Sequence, residues 1–116
     1  MVFSITALGS RADEVLQAAA EVFGALSTPA SLRIVRALAN GPQSAAQLMA
    51  ASGASRSGVA YHLQQLHGAG LVGKQGRGPQ TRYVLVPGTV TLACTEAMKM
   101  LEAVESMVAP LPALPH

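Results

Sequence analysis

Residues Ser44–Val72, SAAQLMAASGASRSGVAYHLQQLHGAGLV, decide the fold. They read as two short helices joined by a tight turn. Ser44 stands at an N-cap position, and Leu48 and Met49 supply the apolar contacts of the first helix. Gly53 stops that helix and Ser55 caps the next. A turn of about three residues with a glycine is what a helix-turn-helix requires. The second helix is expected from Arg56 to about Gly68. At about 100° per residue, Val59, Leu63 and Leu66 share one side. The opposite side carries Ser57, Tyr61, Gln64, Gln65 and Gly68, with Gly58 and His62 on the flanks. This outward face has amides, a hydroxyl and a phenol, and no acid. A helix so faced can approach base edges in a major groove, whose width admits it.

The residues upstream read as support. Thr28 is a fair N-cap, and Pro29 suits the first helical position, where no backbone donor is needed. That helix runs to about Ala39, with Leu32, Val35, Leu38 and Ala39 as its expected buried side, and Asn40-Gly41 stops it. Earlier, Val15, Leu16, Ala19, Val22, Phe23 and Leu26 recur at helical spacing over Arg11–Leu26. The stripe is wide for so short a helix and suits the domain core, a dimer seam, or a mixture of both. Pro42-Gln43 is a short connector.

Downstream, Leu71–Gly76 and Thr81–Val86 are strand-like arms around Arg77-Gly78-Pro79-Gln80, a β-hairpin with a basic tip. Thr91 is the expected cap of a last helix over about Leu92–Ala109. Ala97, Leu101, Val104 and Val108 form its stripe, with Cys94 and Met98 beside them. Met100 and Met107 widen the apolar arc, so a second molecule is expected to cover the terminal helices. The fold class is mainly α with a small β-hairpin, in the order of a winged helix-turn-helix. Residues 1–10 read as a flexible arm, 11–109 as one domain, and 110–116 as a Pro-rich tail.

The chain of 116 residues is long enough for one compact domain. No apolar run approaches the ~20 residues of a membrane span, and no signal peptide is evident. Cys94 is the lone cysteine, which excludes an intramolecular disulfide and a multi-cysteine metal site within one chain. The expected compartment is the cytoplasm. Net charge is only +2 but is unevenly spread. From Val22 to Thr95 there is no Asp or Glu, while Arg33, Arg36, Arg56, Lys74, Arg77 and Arg82 all fall there. Such segregation favours a polyanionic partner for the middle of the chain. No Ser-His-acid set, phosphate loop or pair of catalytic carboxylates stands out, so an enzyme is not expected.

Two stretches carry a resemblance. Phe23–Ala39, FGALSTPASLRIVRALA, is similar to the second-helix signature of ArsR/SmtB-type transcriptional repressors. Gln47–Val72, QLMAASGASRSGVAYHLQQLHGAGLV, resembles that family's helix-turn-helix without a gap. The resemblance covers roughly residues 13–108 and implies a homodimer that binds double-stranded operator DNA. The first and last helices would form the seam, through Val15, Leu16, Ala19 and Phe23 on one and Cys94, Ala97, Met98, Leu101, Val104 and Val108 on the other. The fourth helix would enter the major groove, and the hairpin would lie as a wing on the backbone or adjacent minor groove. By position, Ser55, Arg56, Ser57, Gly58, Tyr61 and His62 fall where such proteins touch DNA. Gln64 joins them from the outward face, and Lys74, Arg77 and Arg82 are the expected phosphate or minor-groove contacts.

The departures from the family are as informative. The stretch that carries paired cysteines in metal-sensing members is here Gln43–Leu48, QSAAQL, with no thiol or imidazole. The last helix offers Cys94, Glu96, Glu102 and Glu105 and no His. No metal or other cofactor is therefore expected, and a dithiol switch lacks its second cysteine. Cys94 is read as a packing thiol, with pairing to its symmetry mate as the sharper alternative. His62 suits a DNA or structural hydrogen bond and His67 suits solvent. An unidentified apolar effector between the terminal helices remains open, as does no effector at all. The alternative to a DNA-binding regulator is a winged-helix module that offers its apolar terminal helices to a different protein.

Overall fold

The computed structural model describes residues 5–107 and 114. Five helices and one hairpin follow in the expected order: α1 (Ile5–Ala25), α2 (Pro29–Leu38), α3 (Ala45–Ser52), α4 (Arg56–Gly68), β1 (Val72–Gln75), β2 (Arg82–Leu85) and α5 (Thr89–Met107). Two boundaries differ from expectation. Helix α1 starts at Ile5 rather than Arg11, so residues 5–10 of the expected arm are helical. Extending a formed helix by one residue is far easier than nucleating one, so Gly9 and Ser10 are carried through despite their low propensity. Helix α5 starts at Thr89, and its first turn includes a Leu92 N–H to Gly88 carbonyl bond of 3.0 Å. Thr91 is thus a buried residue inside the helix and not its cap. Residues 1–4, Val108 and the tail expected at 110–116, apart from Leu114, lie outside the described residues.

The helix starts are local constructions. Thr28 Oγ1 accepts the Ser31 N–H, while the Ser31 hydroxyl donates to the Thr28 carbonyl at 2.9 Å. Ser44 and Gln47 form a capping box: the Ser44 hydroxyl accepts the Gln47 N–H at 3.2 Å, and Gln47 Oε1 accepts the Ser44 N–H at 2.8 Å. Gly53 ends α3 at φ +73°, a left-handed conformation that glycine enters without a Cβ penalty. Ser55 then caps α4 by accepting the Gly58 N–H at 3.1 Å.

The core is the junction of α2, α3, α4 and the root of the hairpin. Ile34, Leu48, Val59 and Leu66 are its most enclosed aliphatic residues, with Val35, Leu38, Leu63, Leu71 and Val72 around them. The buried side of α2 is rotated from the expected one. It consists of Ser31, Ile34, Val35 and Leu38, whereas Leu32 is half-buried and Ala39 exposed. Ser31 can turn inward because both its hydroxyl and its N–H are bonded to Thr28, which removes the cost of burying them. Ile34 then follows at i+3. Helix α5 contacts α2, with an Arg36–Glu102 ion pair at 3.1 Å between them, and Met98 packs against the core.

Strands β1 and β2 pair antiparallel with Val72 opposite Leu85 and Lys74 opposite Tyr83. A single 3₁₀ turn at Gly78–Gln80 sits in the connection. The hairpin is anchored by a contact that sequence reasoning missed. Gln43, expected as a plain connector, forms a one-residue bridge with Tyr83, with N–H to carbonyl bonds of 3.0 and 2.7 Å. Its side-chain amide donates to the carbonyls of Ala37 and Gly41. A one-residue bridge has no periodicity for a sequence pattern to reveal.

Candidate nucleic-acid interface

Helix α4 is held by its apolar side, so its other side is available. Val59, Leu63 and Leu66 are buried, as the helical angles require. Ser55, Arg56, Ser57, Tyr61 and Gln64 are exposed, and Gly58 and His62 are half-exposed. The Ser55 and Ser57 hydroxyls lie 3.2 Å apart, which joins the cap to the outward face. The Tyr61 ring meets His62 edge-on, with centroids 5.4 Å apart and planes at 73°. This contact leaves Tyr61 59% exposed while steadying its base. A side chain at Gly58 would lie within 3.2 Å of the Ser55 Oγ, so the first turn of α4 keeps its surface low.

The charge of the middle span divides in the fold. Arg33 donates to the Ser52 carbonyl at 3.5 Å, close to the helix-turn-helix turn. Arg36 pairs with Glu102. Both therefore serve contacts within the chain. Arg56, Lys74, Arg77 and Arg82 are exposed and have no acidic partner among the described residues. They lie at the start of α4 and on the hairpin.

Gln64 and His67 of α4 and Lys74 and Tyr83 of the hairpin line one shared cleft. The helix and the wing thus border the same surface. His67, expected to face plain solvent, is one of its walls.

The other sequence-derived set is on the terminal helices. Val15, Leu16, Phe23, Ala97, Leu101 and Val104 are exposed, while Ala19 and Cys94 are half-buried. Met98 is half-buried too, but it packs on this chain's own core. Cys94 is a free thiol. Among the described residues no group of three His, Cys, Asp or Glu side chains is placed to hold a metal ion, and no helix is long and apolar enough to cross a membrane.

Comparison with known proteins places the chain in a family. The model described as "Bacterial regulatory protein, arsR family" matches residues 28–74, which span α2, α3, α4 and most of β1. The HTH-type transcriptional regulator CmtR of Mycobacterium tuberculosis is 38% identical over 82 residues, 71% of this chain and 70% of that protein. The chain belongs to the ArsR family. It is a DNA-binding regulator of transcription and not an enzyme. Among solved structures, an ArsR-like transcriptional regulator from Rhodococcus sp. RHA1 is 28% identical with a TM-score of 0.59, covering 81% of this chain and 83% of that one. The homodimeric winged helix-turn-helix DNA-binding domain from Mycobacterium bovis superposes with a TM-score of 0.73 at 22% identity, over 88% of this chain and 94% of that one. The latter shares the winged helix-turn-helix fold. Of the ArsR-type interface residues, those on α4 and Lys74 lie inside the matched span, whereas Arg77 and Arg82 lie beyond it.

Proposed function

We propose that this ArsR-family chain acts as a homodimeric repressor that reads an operator through α4 and its wing. The supporting observation is the shared cleft: a helix face free of acid borders a cationic hairpin, so one duplex can engage both. Ser57, Tyr61 and Gln64 are assigned to the groove, with Gly58 and His62 beside them. Ser55 and Arg56 are assigned to phosphates at the start of α4, where backbone N–H groups favour anions. Lys74, Arg77 and Arg82 are assigned to the backbone or minor groove. These contacts are mainly electrostatic, so affinity should fall steeply with salt. Arg77→Ala removes one contact from each protomer and is expected to lower the salt slope, measured by mobility shift, by about 2. Arg56→Ala should do the same, whereas Tyr61→Ala should weaken binding with the slope unchanged. If wild type and all three variants bind alike at raised salt, these assignments are wrong.

The second copy is assigned to α1 and α5. Phe23 is 71% exposed, Leu101 67% and Met107 81%, with Val15, Leu16, Leu92, Met100 and Val104 also uncovered. Apolar surface of this extent marks an interaction site. We assign the interface to Val15, Leu16, Ala19 and Phe23 with Cys94, Ala97, Leu101 and Val104, and extend it to Val108 along the stripe in the sequence. Phe23→Glu is expected to shift sedimentation from twice the chain mass to the chain mass, because a charge cannot be buried in that seam without a partner. If the purified wild-type chain sediments as a monomer and recovers its mass only with a different protein, the module reading prevails.

A further inference from the structure

We propose that the cleft between α4 and the wing is a binding site for a small carboxylate bearing an apolar ring or chain. Its volume is about 280 Å³. One wall is helical: Ala60, Leu63, Gln64 and His67 follow at i, i+3, i+4 and i+7 and so share a face of α4. The other wall is the hairpin, where Lys74 and Tyr83 are register partners and point to the same side. The space exists because Ala60 brings almost no bulk to it.

The lining is divided by depth. Leu63 and Val72 belong to the buried core and form an apolar floor. Gln64, His67, Lys74 and Tyr83 also line it, and their amide, imidazole, ammonium and hydroxyl can each donate a hydrogen bond. No carboxylate lies anywhere from Val22 to Thr95, so the Lys74 charge has no acidic neighbour in sequence on either wall. A cation would be repelled by Lys74. A bare inorganic anion would leave the apolar floor uncovered. An amphipathic monocarboxylate satisfies both, with its head on the donors and its hydrocarbon on Leu63 and Val72. The volume lies just below the usual range of ligand pockets, about 300–1,000 Å³, which limits the occupant to a single ring or short chain.

Occupancy has a consequence for regulation, because Gln64 and Lys74 are also assigned to DNA. A bound carboxylate neutralises Lys74 and competes with the phosphate. The competition rests on the DNA-facing assignment above, but ligand binding itself does not.

The test titrates the isotope-labelled full-length chain with sodium benzoate and, separately, with neutral benzamide. Benzoate should give saturable amide shifts centred on His67, Gly73 and Lys74. Benzamide and the Lys74→Gln variant should each bind about tenfold more weakly, because a charge-assisted contact is lost. Ala60→Leu should abolish saturation by filling the cleft while the rest of the amide spectrum is retained. In mobility shifts, benzoate at ten times its Kd should weaken wild-type operator binding about elevenfold per cleft, hence by roughly two orders of magnitude for a dimer with two clefts. Equal binding of benzoate and benzamide, shifts centred on α1 or α5, or no saturation at millimolar benzoate overturns the proposal. Saturation of the cleft by a wild-type chain that binds no operator DNA supports the ligand site and rejects the DNA-facing assignment instead.

Discussion

A Gly76→Ala chain keeps its helical core and loses DNA affinity by roughly tenfold or more, on the order of 1.4 kcal/mol. Gly76 closes β1 at φ +78°, a conformation that costs an L-residue about 1–2 kcal/mol. Space is the larger obstacle. A methyl group there would sit 2.5 Å from the Gln80 carbonyl oxygen and 3.1 Å from its carbon. Both are backbone atoms, so no rotamer change relieves the overlap. The turn over Gly78–Gln80 must shift, and Arg77 at its start moves with it. The core does not depend on this turn, because Val72 and Leu85 pair at the root of the hairpin, with Val72 buried in the core, and Gln43 separately bridges Tyr83. Gly78→Ala is the control: its φ is +54°, but nothing lies within 4 Å of the added methyl. Circular dichroism and mobility shift together check the prediction. It fails if Gly76→Ala binds operator DNA as tightly as Gly78→Ala, or if it melts with loss of helix at a markedly lower temperature.

Ile34→Ala has the largest expected effect on stability. Ile34 is fully buried where α2 meets the core. Truncating such a residue to Ala costs about 2–5 kcal/mol through lost transfer energy and the cavity left behind. Domains of this kind have only about 5–15 kcal/mol in total. Leu32, two residues away, is half-buried, and its truncation should cost less than half as much. The comparison measures the rotation of α2 directly. Thermal unfolding at one protein concentration is the readout, since self-association would make the melting point depend on concentration. Equal losses for the two variants would mean that α2 presents a different face.

Much of the helix-turn-helix was legible because it is assembled from contacts three or four residues apart. The Ser44–Gln47 capping box, the Gly53 stop and the Ser55 cap are each written within one turn of helix. The outward set on α4 follows from the burial of Val59, Leu63 and Leu66, which a 3.6-residue period specifies. The limits of α1 and α5 were less legible. Weak formers such as Gly9 are tolerated inside a helix that has already nucleated, and Thr91 looks like a cap from its type alone.

What the sequence by itself determined is therefore the central unit: two capped helices, their turn, the acid-free span and a hairpin with basic residues. What only the tertiary structure decided is which residues meet across the chain. Arg36 finds Glu102 and leaves the cationic surface to Arg56, Lys74, Arg77 and Arg82. Gln43 finds Tyr83 and anchors the wing, Ser31 turns inward with Ile34, and α4 and the hairpin border an open cleft. The physical reason is separation along the chain. Capping and helical periodicity act through neighbours and leave a repeating trace, whereas a pair 40 or 66 residues apart forms only after the helices have packed.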